Sequence, residues 1–203
     1  MGKFNLVKLG TGERFKIDKS VGLSNIRVEL SFSGEDLDVQ AWLLNQDGLI
    51  VNDEAFVFYN SVNRTDVFDK AKYGNRQNYL RSTRPMSADG AVLGSKDELD
   101  GGVETVNIDL AKVDPEVQEI AISATVYEEG KAFGNVEDAK ITVIDEDSSE
   151  KLCYYELSQD YVNENACVIC RFIVNDNGDW EVLAEGKAYD GGLNTLVEIF
   201  TEE

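Results

Sequence analysis

Ile26-Arg27-Val28-Glu29-Leu30-Ser31-Phe32-Ser33 alternates apolar and polar side chains without a break. On an extended chain that alternation sends one set to each face, so the stretch reads as a half-buried β-strand. Strand-like patterns recur at 37–44, 49–51, 55–59, 103–110, 120–127, 139–144, 152–157, 166–174 and 180–189. Gln46-Asp47-Gly48 and Asn175-Asp176-Asn177-Gly178-Asp179 lie between such stretches and carry residues that accept positive φ. Short strands punctuated this regularly predict an all-β fold, an antiparallel β-sandwich of two sheets. Helical signal is sparse. One turn fits Asp114-Pro115-Glu116-Val117, with Asp114 as N-cap and Pro115 at the first helical position. Residues 193–200 suit a short helix or a strand.

The chain has 203 residues, which suits one domain over 1–203, and shows no dividing linker or fixed-period repeat. A domain of this size buries roughly 70% of its unfolded surface and needs no disulfide or metal staple to fold. Acidic side chains number 39 against 19 basic ones, a net charge of −20. That balance opposes phosphate binding, so no nucleic-acid partner is expected, and it opposes docking on an anionic membrane. No stretch reaches the ~20 apolar residues of a membrane span. Met1-Gly2-Lys3-Phe4-Asn5-Leu6 carries no apolar leader, and the cysteine count is three, odd and low. Together these point to a cytoplasmic protein. Histidine is absent, which removes Ser-His-Asp and Cys-His catalysis and imidazole metal sites. A metal here must sit on oxygen or on cysteine.

Cys167-Val168-Ile169-Cys170 has the spacing of a redox dithiol or half a zinc site. It lies inside an apolar strand, where an offset of three predicts thiols on opposite faces, and no second pair completes a zinc shell. These cysteines read as packing. Asn175 to Glu181 places oxygens like the start of an EF-hand, but Trp180 stands where that loop needs glycine.

Two acidic stretches are candidates for cation binding. In Gly34-Glu35-Asp36-Leu37-Asp38, Asp36 and Asp38 project from the same face of an extended chain. Neighbouring carboxylates repel unless a cation sits between them, and Ca²⁺ takes six to eight oxygens. In the second stretch, Asp97, Asp100 and Glu104 lie among Gly101 and Gly102. The alternative for each is a solvated loop.

One segment departs from the acidic background. Residues 64–84 hold six basic and two acidic side chains, net +4, whereas residues 137–203 hold 17 acidic and four basic, net −13. The segment reads either as a contact surface for an acidic partner or a second copy, or as a solvated loop or short helix.

Several stretches, in order, resemble the tellurium-resistance TerD family of stress-response proteins. They include Val7-Lys8-Leu9-Gly10, Asp36-Leu37-Asp38, Asp53 with Phe56-Val57-Phe58-Tyr59-Asn60, and Asp89-Gly90-Ala91-Val92. Phe133-Gly134-Asn135-Val136, Asp145-Glu146-Asp147, Tyr155-Glu156-Leu157 and Gly186 with Tyr189, Gly191 and Gly192 continue the series. The resemblance implies a β-sandwich of two antiparallel sheets, non-enzymatic, binding Ca²⁺ through acidic loops at one end. It implies partners among sister TerD-like proteins. Carried over by motif, Asp36 and Asp38 fit the first acidic loop, Asn60 the turn facing it, and Glu104 the end of the second. Gly94-Ser95-Lys96 and Gly102-Val103-Glu104 depart from the family's second loop, where Asp97 and Asp100 are the substitute carboxylates. The basic stretch, at about 61–86, reads as an insertion beside that end.

Two function classes follow. One is a Ca²⁺-binding scaffold module in a stress-response assembly. The other is a metal-free structural subunit that self-associates through the Arg64 to Arg84 segment. Enzymatic acid–base work has no marked carboxylate pair to carry it.

Overall fold

A computed structural model describes residues 5–18, 20, 22–95, 102–126, 128, 130–157 and 161–201. Its strands are β1 (Val7–Lys8), β2 (Arg14–Lys16), β3 (Asn25–Gly34), β4 (Leu37–Leu44), β5 (Phe56–Val57), β6 (Val92–Leu93), β7 (Val103–Asp109), β8 (Glu119–Val126), β9 (Val136–Asp145), β10 (Glu150–Glu156), β11 (Ala166–Val174) and β12 (Trp180–Tyr189). Helices α1 (Lys70–Tyr73) and α2 (Arg76–Ser82) lie between β5 and β6, and α3 (Gly192–Thr201) follows β12. Among the described residues the strands form two six-stranded sheets, ordered β1-β10-β9-β3-β7-β6 and β2-β12-β11-β8-β4-β5. Pairing is antiparallel except for β1 on β10. The sandwich expected from the period of two is the observed fold.

The alternation in β3 is the reason. Ile26, Val28, Leu30 and Phe32 are buried while Arg27, Glu29, Ser31 and Ser33 stay on the outer face. They meet Leu37, Val39, Ala41 and Leu43 of β4 across the sandwich in one core cluster. The second sheet is buried on its outer face too. There Trp42, Leu44, Ala121, Ala166 and Val168 pack under Leu196 and Phe200 of α3. Spacing of four on a helix puts Leu196 and Phe200 on one stripe, which settles 193–200 as helix. Trp42 stacks on Phe56 at 3.9 Å between ring centroids. Among the described residues no helix is long and apolar enough to cross a membrane.

Some expected elements are shorter. Residues 49–51 contribute a single bridge, Leu44 to Ile50, because the Ile50 N–H donates to Phe200 O at the end of α3, 2.9 Å away. Residues 55–59 yield only β5. Ser61 Oγ donates to Phe56 O at 3.1 Å and accepts from Phe58 N at 3.0 Å, curling the chain out of the sheet. Asp114 caps a turn rather than a helix, accepting from Glu116 N at 2.9 Å. The cysteine reading needs correction. A register shift between Val168 and Cys170 places Cys167, Ile169 and Cys170 together in the inter-sheet core, while Val168 faces α3. A one-residue bulge inverts face assignments made by counting. Burial pushes the Cys153 thiol up to about 12 and drives Cys167 and Cys170 higher still, so all three sit in the core as neutral thiols.

Candidate functional site

The turn between β3 and β4 carries the chain from one sheet to the other. Gly34 opens it at φ +91°, and a Cβ there would lie 2.4 Å from Asn135 O, so only glycine fits. Glu35 accepts from Lys131 Nζ at 2.8 Å. Asp36 follows, half-buried, and Asp38 sits on β4 opposite Thr125 of β8. Gln40 Nε2 donates to Asp38 O and to Thr125 Oγ1, both at 2.9 Å. Gln40 Oε1 accepts from Ser123 Oγ at 2.8 Å, and that hydroxyl accepts from Trp42 Nε1 at 2.8 Å. This chain of bonds runs along the buried outer face and fixes the backbone beside Asp38.

The other predicted donors come from neighbouring strands. β5 is antiparallel to β4, with Val57 opposite Ala41, so the chain beyond it heads toward Asp38. Asn60 lies on the exposed turn that follows. Glu104 on β7 pairs with Leu30 of β3, near the same end, and is 9% exposed. Ser95 Oγ accepts from Thr105 N at 2.6 Å and donates to Thr105 O at 3.1 Å, tying the two ends of the second acidic loop. Asp97 and Asp100 fall outside the described residues. Asp36 and Asp38 thus stand at the start of β4, Asn60 on the chain that runs back toward them beyond β5, and Glu104 near the start of β7, on the face that carries Val106 and Ile108 into the inter-sheet core. Among the described residues, no group of three or more carboxylate or cysteine side chains is placed to hold a metal ion by itself.

A cation of the protein's own reaches this end. Arg76 Nη2 donates to Asn60 Oδ1 at 3.3 Å, from the first residue of α2. In the sequence Arg76 is only one contributor to the net +4 of residues 64–84. Nothing in its spacing signals Asn60 as its partner.

The basic segment is more built than a solvated loop. Asp69 caps α1 and Asn75 caps α2, each accepting from a backbone N–H. Arg64 is 5% exposed and donates to Tyr59 O at 2.6 Å, Leu80 O at 2.8 Å, Thr83 O at 2.6 Å and Thr83 Oγ1 at 2.7 Å. Arg84 reaches Gly94 O at 2.7 Å, Leu93 O at 3.0 Å and Asn107 Oδ1 at 2.7 Å, and burial lowers its pKa. Two of the six bases are thus internal clips. The outer surface of the segment keeps Lys70, Lys72, Arg76 and Arg81. Lys72 pairs with Asp66, whose carboxyl is held down at about 2 by Lys72 first, then by the Tyr73 hydroxyl and Val67 N.

The solved structure of a homologue of a telluride resistance protein from Streptomyces coelicolor A3(2) has the same fold, with a TM-score of 0.60 and 17% identity over 89% of this chain and 97% of that one. The tellurium resistance protein TerD of Serratia marcescens is 27% identical, with 94% of each chain covered. The general stress protein 16U of Bacillus subtilis is 27% identical over 92% of this chain and 93% of that protein. The TerD domain model matches residues 6–200, which takes in both sheets, the inter-sheet turn, the basic segment and most of α3. On the extent of that match, the chain belongs to the TerD family.

Proposed function

We propose that this non-catalytic TerD domain is a cytoplasmic Ca²⁺-responsive scaffold module in a stress-response assembly, with sister TerD-like proteins as partners. The observation that supports the reading is that β5 runs antiparallel to β4, so the chain beyond it, which carries Asn60, heads back toward Asp38. The candidate donors are carboxylate and amide oxygens, the set that suits a hard cation and not zinc or copper. Asp36, Asp38 and Asn60 would hold the ion at the first loop, with Asp97, Asp100 and Glu104 at the second. Bound there, Ca²⁺ would neutralise clustered carboxylates and join loops from both sheets. The names of the relatives, tellurium resistance and general stress, support the stress context.

Calorimetric titration of chelator-stripped protein with Ca²⁺ tests the metal. Saturating Ca²⁺ is expected to stabilise the fold by about 2.7 kcal/mol at a hundredfold excess over Kd, read as a rise in melting temperature. Asp36→Asn with Asp38→Asn should abolish the heat. Absence of heat and of any melting shift at millimolar Ca²⁺ defeats the proposal.

The Arg76 contact on Asn60 favours a second reading, in which a guanidinium stands in for the ion and the scaffold is metal-free. Arg76→Ala separates the two. If Arg76 competes with Ca²⁺, affinity rises several-fold in the variant; if no ion binds, neither protein shows heat.

A further inference from the structure

Val136 of β9 pairs with Gly34, where the inter-sheet turn begins. From there a groove of about 380 Å³ opens between the Phe133–Asn135 turn, the start of β9 and the end of β10. Phe133, Val136, Ala139 and Leu157 give it apolar walls. Tyr161 lines it too, and its hydroxyl donates to Gly186 O, so what it offers the groove is ring surface. Backbone bonds hold these walls. Phe133 N donates to Glu164 O and Leu157 N to Ala139 O, both at 2.9 Å. A Cβ on Gly134 would lie 2.6 Å from Val162 O, so the turn packs against that segment without slack. The groove therefore exists before any ligand arrives.

Three charged side chains stand at it, and they differ in what they already hold. Glu156 is paired with Lys8. Asp138 and Lys140 have no ion pair or side-chain hydrogen bond among the described residues, with each other or with any third group. A bulge sets Asp138 apart from the regular ladder. Ser33 pairs with Glu137 and Ser31 with Lys140, so Asp138 and Ala139 together oppose Phe32. Asp138 sits at φ +55°, in the left-handed region that Asp tolerates better than most side chains.

The signs decide the ligand. An ammonium and a carboxylate beside apolar walls gain most from a molecule that answers both. An anion would satisfy Lys140 but meet Asp138 and Glu156, in the part of the chain that carries net −13. A cation would leave Lys140 unanswered. A neutral apolar molecule would strip water from both charges and return nothing. A molecule with a carboxylate, an ammonium and an apolar body answers every lining group. A volume of about 380 Å³ lies at the low end for ligand pockets and suits one residue better than a peptide.

We propose that this groove binds a free α-amino acid with an aliphatic or aromatic side chain. Lys140 takes the α-carboxylate, Asp138 the α-ammonium, and the side chain lies against Phe133, Val136 and Leu157. None of the candidate cation residues takes part, so the site works with or without Ca²⁺. Two ionic contacts in an open groove give weak binding, with a Kd of about a millimolar.

Amide chemical-shift titration of the full chain with L-leucine and L-phenylalanine, in the presence of a chelator, tests this. Saturable shifts are expected at Val136, Ala139, Lys140 and Leu157. Glycine, N-acetyl-leucine and leucinamide lack the side chain, the ammonium and the carboxylate in turn, and each should bind the wild type about tenfold more weakly than leucine. Asp138→Asn keeps a residue type that tolerates the local φ, and Lys140→Met keeps the aliphatic stem; each should weaken leucine by about the same factor. N-acetyl-leucine should lose nothing further in Asp138→Asn, nor leucinamide in Lys140→Met. Circular dichroism melts check that the variants fold, and the comparison of ligands on the wild type decides the matter if they do not. Absence of saturable shifts well above millimolar amino acid overturns the proposal. So do shifts centred on Asp36 and Asp38, or leucine affinity that both variants leave unchanged. N-acetyl-leucine bound as tightly as leucine also overturns it, in favour of a site for apolar carboxylates.

Discussion

Arg171 and Arg64 are both withdrawn from water, and they are held in different ways. Arg171 lies on the outer face of the second sheet, 17% exposed, between Glu119 of β8 and Glu185 of β12 and 5.6 Å from the Phe200 ring. Burial pulls its pKa down, and the Glu185 and Glu119 carboxylates more than restore it above the ordinary value. Arg64 is held by carbonyls and a hydroxyl from residues 59, 80 and 83. Its partners come from the loop it organises. The partners of Arg171 come from strands that pair through their backbones whether or not it is there. The sheet positions its arginine, whereas Arg64 positions its segment.

The largest test bears on the sheet side. Phe200→Ala removes a fully buried ring from under α3 and should cost about 3–5 kcal/mol, read as a global fall in melting temperature. Exchange protection should fall across β4, β8 and β11 together. If only α3 frays, the outer-face cluster is not part of the cooperative core.

Arg64→Met is the matching test on the other side. It leaves several carbonyls without their donor, at a cost of about 1–3 kcal/mol. Amide exchange should accelerate through 59–86 and stay unchanged in β8 and β11. Uniform loss of protection would show that the segment is an integral part of the sandwich, and the contrast with Arg171 would fail.

The smallest effect is the pH response of the Asp66–Lys72 pair. The Asp66 carboxyl sits at about 2, below its unfolded value, so its contribution is present above about 4 and lost as pH falls through about 2. Lys72 is pushed up to about 12 by Asp66 and the Tyr73 hydroxyl, so its contribution is present below its unfolded value and lost as pH rises through about 12. Asp66→Asn should abolish the acid-side loosening of α1 seen by NMR between those limits. Loosening that persists in the variant assigns it to other carboxylates.

These two regions also differ in how far the sequence discloses them. The strand pattern at 26–33, 166–174 and 180–189 locates β3, β11 and β12 to within a residue or two, because one buried face fixes every second side chain in β3 and β12 and burial on both faces leaves an unbroken apolar run in β11. The same counting fails at Cys167 and Cys170, where a bulge adds a residue that leaves no mark on composition. It fails at Ile50, whose N–H is taken by a helix terminus far along the chain. At the candidate cation end, Asp36 and Asp38 are legible from adjacency. Glu104 is legible as part of the second acidic stretch, Asn60 is named only through resemblance, and Arg76 has no local signal at all.

Alternation and turn residues alone determined that this chain is an all-β sandwich, since period-two burial is a local property of each strand. Charge counting alone found an acidic protein with one basic stretch. Only the tertiary structure decided what that stretch does with its charge: Arg64 and Arg84 turn inward as clips, and Arg76 reaches Asn60. Those outcomes depend on which carbonyls and strand margins lie within reach once both sheets have formed, and distance through space is not written in sequence spacing.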